Sequence, residues 1–155
     1  MAGMGLKDQL RTDLTTAMKA RDKETSGTLR MIMTAIGAAE VAGKDRVELS
    51  DEQVLAVLTT EAKKRREAAA AFDEGGRADM ADKERSELAV IVTYLPEQLT
   101  EDEIAKIVAD AVEKTGAAGE GMRAMGKVMG LVQPQVKGRA DGSIVAAEVK
   151  KQLGS

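Results

Sequence analysis

The sequence predicts an all-α protein. Two observations carry that expectation. Apolar residues recur every three or four positions along nearly the whole chain, and no stretch sustains the alternation of Val, Ile, Thr and aromatics that a strand requires. One helix-start signal also occurs twice, as Leu49-Ser50-Asp51-Glu52-Gln53-Val54 and as Leu99-Thr100-Glu101-Asp102-Glu103-Ile104. In each, a hydroxyl residue caps, Gln or Glu three residues later returns the capping box, and the preceding Leu is placed to staple onto the apolar residue that closes the motif.

In chain order, the spacing predicts a first helix over 6–21 that buries Leu6, Leu10, Leu14, Ala17 and Met18, with a break near Asp22 and Lys23. A second spans 24–42, buries Leu29, Ile32, Met33 and Ile36, and stops at a left-handed Gly43. The third starts at the Ser50 cap and runs to Glu74 before Gly75-Gly76. The fourth covers 78–94, burying Leu88, Ile91 and Val92, with Pro96 barring continuation. Four such helices suit an antiparallel bundle. The second capping box opens a helix that buries Ile104, Ile107, Val108, Ala111 and Val112 and stops at Gly116. A glycine-rich loop over 116–121 leads to a short helix, 122–132, ended by Pro134; Asp141 caps a last helix carrying Ile144, Val145, Val149 and Leu153. The expected organisation is a four-helix N-terminal subdomain, 1–96, followed by a smaller three-helix C-terminal subdomain, 97–155.

Composition narrows the chemistry. The 155 residues include no His, Cys or Trp, and Phe72 and Tyr94 are the aromatics. Ser-His-Asp and Cys-His nucleophile systems, thiolate or imidazole metal sites, haem ligation and disulfides therefore have no residues to build them. No catalytic residue, metal ligand or cofactor is expected. The net charge of −3 provides no overall attraction to nucleic acid or anionic membrane. The N-terminal MAGMGLKDQL lacks the pattern of a secretory leader, and no apolar run is long enough for a membrane span, so the expected location is the cytoplasm.

Several motifs have plain structural readings. Gly121-Met122-Arg123-Ala124-Met125-Gly126-Lys127-Val128 matches the phosphate-loop spacing G-x-x-x-x-G-K, but Val128 stands where the magnesium-binding hydroxyl belongs and the stretch reads as helix. Asp51-Glu52 and Glu101-Asp102-Glu103 occupy first turns, where they complement the helix dipole. The nine methionines, among them Met31, Met33, Met122, Met125 and Met129, read as core filler, and Lys63-Lys64-Arg65-Arg66 as a solvated face.

The charge distribution near the C-terminus is more informative. From Arg123 onward six cations, Arg123, Lys127, Lys137, Arg139, Lys150 and Lys151, face two acids, Asp141 and Glu148, an excess of four on a protein whose remainder carries −7. A local cationic surface suits a polyanion. The shortage of aromatics disfavours single strands read by stacking and leaves structured RNA read through its backbone.

The strings Met125-Gly126-Lys127-Val128-Met129-Gly130, Lys137-Gly138-Arg139-Ala140-Asp141-Gly142-Ser143, Tyr94-Leu95-Pro96-Glu97-Gln98-Leu99 and Leu29-Arg30-Met31 together resemble the GatB/YqeY family. The resemblance to free-standing YqeY proteins covers essentially the whole chain. A weaker one links the last third to the tail domain of GatB, a subunit of the glutamine-dependent aspartyl/glutamyl-tRNA amidotransferase, where that tail helps engage tRNA. The resemblance implies an all-helical, two-part fold and a non-catalytic accessory module. In that module Arg123, Lys127, Lys137, Arg139 and Lys150 would contact phosphates of tRNA or another structured RNA, with no membrane or DNA partner. A carbon-nitrogen ligase activity with glutamine as amide donor is implied only within a larger complex, because nothing here resembles that enzyme's catalytic parts. The alternative is a protein-interaction module, docking a partner in tRNA metabolism through Met-rich C-terminal helices.

Overall fold

The computed structural model describes residues 5–154, and all its regular structure is helical. Residues 1–4 and 155 lie outside the described residues, and with them the first part of the stretch read for a leader. The helices are α1 (Leu6–Lys19), α2 (Lys23–Glu40), α3 (Asp51–Glu74), α4 (Ala78–Val92), α5 (Glu101–Thr115), α6 (Met125–Val136) and α7 (Gly142–Gly154), with a 3₁₀ turn, Gly121–Ala124, before α6. The chain divides into two compact units, Met1–Leu95 and Pro96–Ser155.

In the N-terminal unit, Leu10, Leu29, Ile32, Ile36, Val54, Leu58, Ala62 and Ile91 form one buried cluster drawn from α1 to α4. Met18 is not part of it and is 49% exposed. It lies about 100° round the helix from buried Ala17, because the stripe of α1 is narrower than the sequence suggested. Both capping boxes form, with Ser50 Oγ accepting from the Gln53 amide at 3.2 Å and Thr100 Oγ1 from the Glu103 amide at 3.1 Å. Asp51 also reaches across to α1, accepting the Leu6 amide at 2.9 Å.

The end of α2 differs from expectation. The helix stops at Glu40, its cap is Val41, and Gly43 is not left-handed. Glu40 itself turns the chain: its carbonyl accepts the Val47 amide at 3.0 Å, and its buried carboxylate accepts the Leu49 amide at 3.2 Å and Lys7 Nζ at 2.6 Å. The run 63–66 is not wholly solvated either. Arg65 is half-buried, paired with Glu61 at 2.7 Å and with Glu87 of α4 at 3.4 Å.

In the C-terminal unit, Ile104, Val108, Ala111, Ala117, Ala124, Val128, Val132, Val136, Val145, Val149 and Leu153 make a separate core. α5 ends on a left-handed Gly116 (φ +66), whose neighbour Ala117 donates back to the Val112 carbonyl at 3.0 Å. Ile144 is 43% exposed, a step of about 100° away from the buried Val145 face. Pro134 does not end the preceding helix; α6 continues through it to Val136. Pro134 costs the bond to the Gly130 carbonyl, and both residues sit on the exposed face, where water can take that bond.

Candidate nucleic-acid interface

One side of α6, formed by Val128, Val132 and Val136, is buried in the unit's core. The opposite side carries Lys127, Gly130 and Pro134, all exposed and spaced by three and four residues. Arg123 precedes Lys127 by one turn, in the 3₁₀ segment, and Lys137 follows Pro134 by three residues as the C-cap; both are exposed. From Lys127 to Lys137 the rise is about 15 Å at 1.5 Å per residue. The glycines keep this face low, so a flat polyanion can approach the backbone between the cations.

Arg139 plays a different part. It is half-buried, and its guanidinium donates from Nε to the Glu97 carbonyl at 3.1 Å and from Nη1 to the Gln135 carbonyl at 3.4 Å. Its own carbonyl accepts the Leu99 amide at 2.8 Å. Gln98 adds Nε2 bonds to the Gly138 carbonyl at 2.9 Å and the Pro96 carbonyl at 2.7 Å. Gly138 adopts φ +74 with the Pro96 ring 3.8 Å from where a Cβ would stand, so the 137–140 turn lies flat on the 96–99 segment. Of the five cations read from the sequence, Arg139 is therefore spent on holding this turn and thereby on placing Lys137. Its field also helps the Thr100 hydrogen bonds keep the Glu103 carboxyl below its ordinary range.

Lys127 has an internal partner that composition did not reveal. Glu120 lies 2.8 Å from its Nζ through Oε2 and accepts through Oε1 at 3.2 Å. The Lys127 hydrogen bond, reinforced by the charges of Lys127 and Arg123, holds the Glu120 carboxyl below the usual carboxylate range. Lys150 is exposed on a different helix, α7, whose cap is Asp141: Oδ1 accepts the Ser143 amide at 2.9 Å. Met125 and Met129 pack partly against the core, leaving Met122 as the exposed methionine of this region. The 121–128 segment is helical throughout apart from its 3₁₀ start, with Val128 fully buried, so it lacks the strand and the hydroxyl of a phosphate loop. Among the described residues no group of three or more Asp or Glu is placed to hold a metal ion, and no helix is long and apolar enough to cross a membrane.

The family model for YqeY-like proteins matches residues 7–153, which takes in every helix described above except the first and last residues of the helical span. The chain belongs to the YqeY-like family. Among curated proteins, it is 30% identical over 150 residues to the altered inheritance of mitochondria protein 41 of Pyrenophora tritici-repentis, covering 95% of this chain and 80% of that one. An uncharacterised protein of Schizosaccharomyces pombe is 34% identical over 92 residues, 59% of this chain and 73% of its own length. The YqeY-like match extends through both compact units.

Proposed function

We propose that this YqeY-like protein is a non-catalytic accessory module that binds structured RNA, tRNA foremost, by phosphate contacts from its C-terminal unit. The observation that carries the reading is the exposed face of α6. There Arg123, Lys127 and Lys137 recur along a low surface of Gly126, Gly130 and Pro134, in a unit without aromatic side chains. Cations on a rigid helix with no stacking platform suit a duplex backbone rather than unpaired bases. Lys150 extends the same recognition from α7, and Arg139 acts as a positioning residue. The cytoplasm is the proposed location; the name of the fungal relative assigns that protein to mitochondria.

The alternative, a partner-docking role for the Met-rich helices, has less surface to work with, because Met125 and Met129 face the core. The deciding experiment measures tRNA binding by the full chain with Arg123 and Lys150 changed together to Glu. Affinity should fall at least tenfold with circular dichroism unchanged, and equally for unrelated tRNAs. Undiminished affinity would remove these residues from the interface.

A further inference from the structure

The Lys127–Glu120 pair lies outside the buried core of the C-terminal unit and links the 116–121 loop to α6. Glu120 stands between two left-handed glycines, Gly119 (φ +83) and Gly121 (φ +69), and this backbone brings its side chain to the first turn of α6. There the two carboxylate oxygens bracket Lys127 Nζ at 2.8 and 3.2 Å. Arg123, one turn earlier, contributes a second positive charge to the same carboxylate. Buried core residues of this unit, such as Val128 and Ala124, lie on the other side of the segment. The arrangement is that of a carboxylate held by an ammonium, with an exposed arginine one helical turn away.

We propose that Arg123 and Lys127 form a phosphate-binding site whose occupant in the free protein is the carboxylate of Glu120, and that a phosphate group of the bound RNA displaces it. This rests on the reading of the chain as an RNA-binding module and names one contact and the means by which it is restrained. With the Lys127 side chain 48% exposed and that of Glu120 32% exposed, the pair is open to water although Glu120 Oε2 itself is covered. Exposed pairs of this kind favour the closed form by a factor of only about 1.5 to 5. A phosphate brings more negative charge and additional acceptor oxygens to the same two cations, and so outcompetes a single carboxylate. The displaced Glu120 returns to water, its backbone still tied by the hydrogen bond its N–H donates to the Ala117 carbonyl at 3.0 Å.

Removing the internal competitor should raise affinity by the population it held, roughly two- to sixfold for Glu120→Gln. Two probes on the isotopically labelled full chain separate this inference from the function it rests on. Inorganic tripolyphosphate, followed by amide chemical shifts, should perturb residues 120–128 in the native protein, more tightly in E120Q, and not in K127Q or in the E120Q/K127Q double variant. The same spectra report whether each variant is folded. Transfer RNA, followed by fluorescence anisotropy, should show the same ranking. Tripolyphosphate shifts absent from 120–128, or equal affinities in native and E120Q protein, would overturn the site. If tRNA binds but is indifferent to E120Q, the displacement of Glu120 by an RNA phosphate is overturned while the RNA-binding reading stands. Tripolyphosphate binding with the predicted ranking, but no tRNA binding, would keep the anion site and sink its assignment to RNA.

Discussion

Tyr94 is the single tyrosine of a protein without tryptophan, so its spectrum reports one site. Its hydroxyl donates to Asp13 Oδ2 at 2.5 Å, joining the chain just beyond α4 to the middle of α1 within the N-terminal unit. Burial, the hydrogen bond to Asp13 and the nearby negative charge all push the phenol pKa well above its ordinary value. The sign follows directly. A group whose folded pKa is raised stabilises the fold fully below its unfolded pKa, about 10 for Tyr, and loses that contribution as pH rises through the folded value. Hydrogen bonds to charged acceptors contribute about 1.5–3 kcal/mol when buried; with Tyr94 only half-buried, roughly 1 kcal/mol is expected for Tyr94→Phe. The loss should be read in urea unfolding followed by circular dichroism. Asp13→Asn in a double-mutant cycle should account for most of it. Tyrosinate absorbance in the native protein should rise only well above pH 10, and in urea near about 10. Ordinary titration in the folded protein, or a Tyr94→Phe change within about 0.3 kcal/mol of zero, would refute the argument.

Three further perturbations test the local physics. Arg21 holds a left-handed position (φ +60) that closes α1, with the Asp22 amide bonded to the Ala17 carbonyl at 2.9 Å, so Arg21→Gly should stabilise by about 0.5–1 kcal/mol in urea unfolding. Thr100→Ala removes the side-chain half of the second capping box and should destabilise the C-terminal unit by about 1 kcal/mol, with Thr100→Ser close to native. Glu40 has its pKa lowered chiefly by the Lys7 hydrogen bond and then by the Leu49 amide. Its contribution is therefore complete above the unfolded Glu pKa, about 4.3, and is lost as pH falls through the lower folded value. Hydrogen exchange at the Leu49 amide, corrected for intrinsic rate, should lose protection in that acid window, whereas Glu40→Gln should show no such step.

The parts legible in the sequence are those decided within a few residues. Both capping boxes, the Gly116 stop and the Asp141 cap are contacts between near neighbours, and residue types alone announce them. Where the deciding contact is distant, the sequence misled. Gly43 looked like a stop, yet Glu40 ends α2 by accepting an amide nine residues on and a lysine from α1. The break near Asp22 and Lys23 was legible, and α2 starts there on its Asp22 cap, but α1 ends two residues short of Arg21, which fills a left-handed position normally marked by glycine. In the candidate interface the helix and its cations were readable, but their commitments were not. Arg139 counts as a surface charge until the carbonyls of Glu97 and Gln135 are seen around its guanidinium, and Lys127 until Glu120 is seen beside it. Charge counting records the presence of a cation and says nothing of its partner.

The salt dependence of tRNA binding to the full chain reads out how many RNA phosphates this unit grips. The unit from Thr100 onward carries eight acids and eight bases, so bulk attraction contributes nothing and the slope counts local contacts. Three or four phosphates neutralised by Arg123, Lys127, Lys137 and Lys150 predict a slope of log affinity against log salt of roughly −2 to −4. A slope near zero, or no binding to any tRNA at low salt, would contradict RNA binding through phosphates.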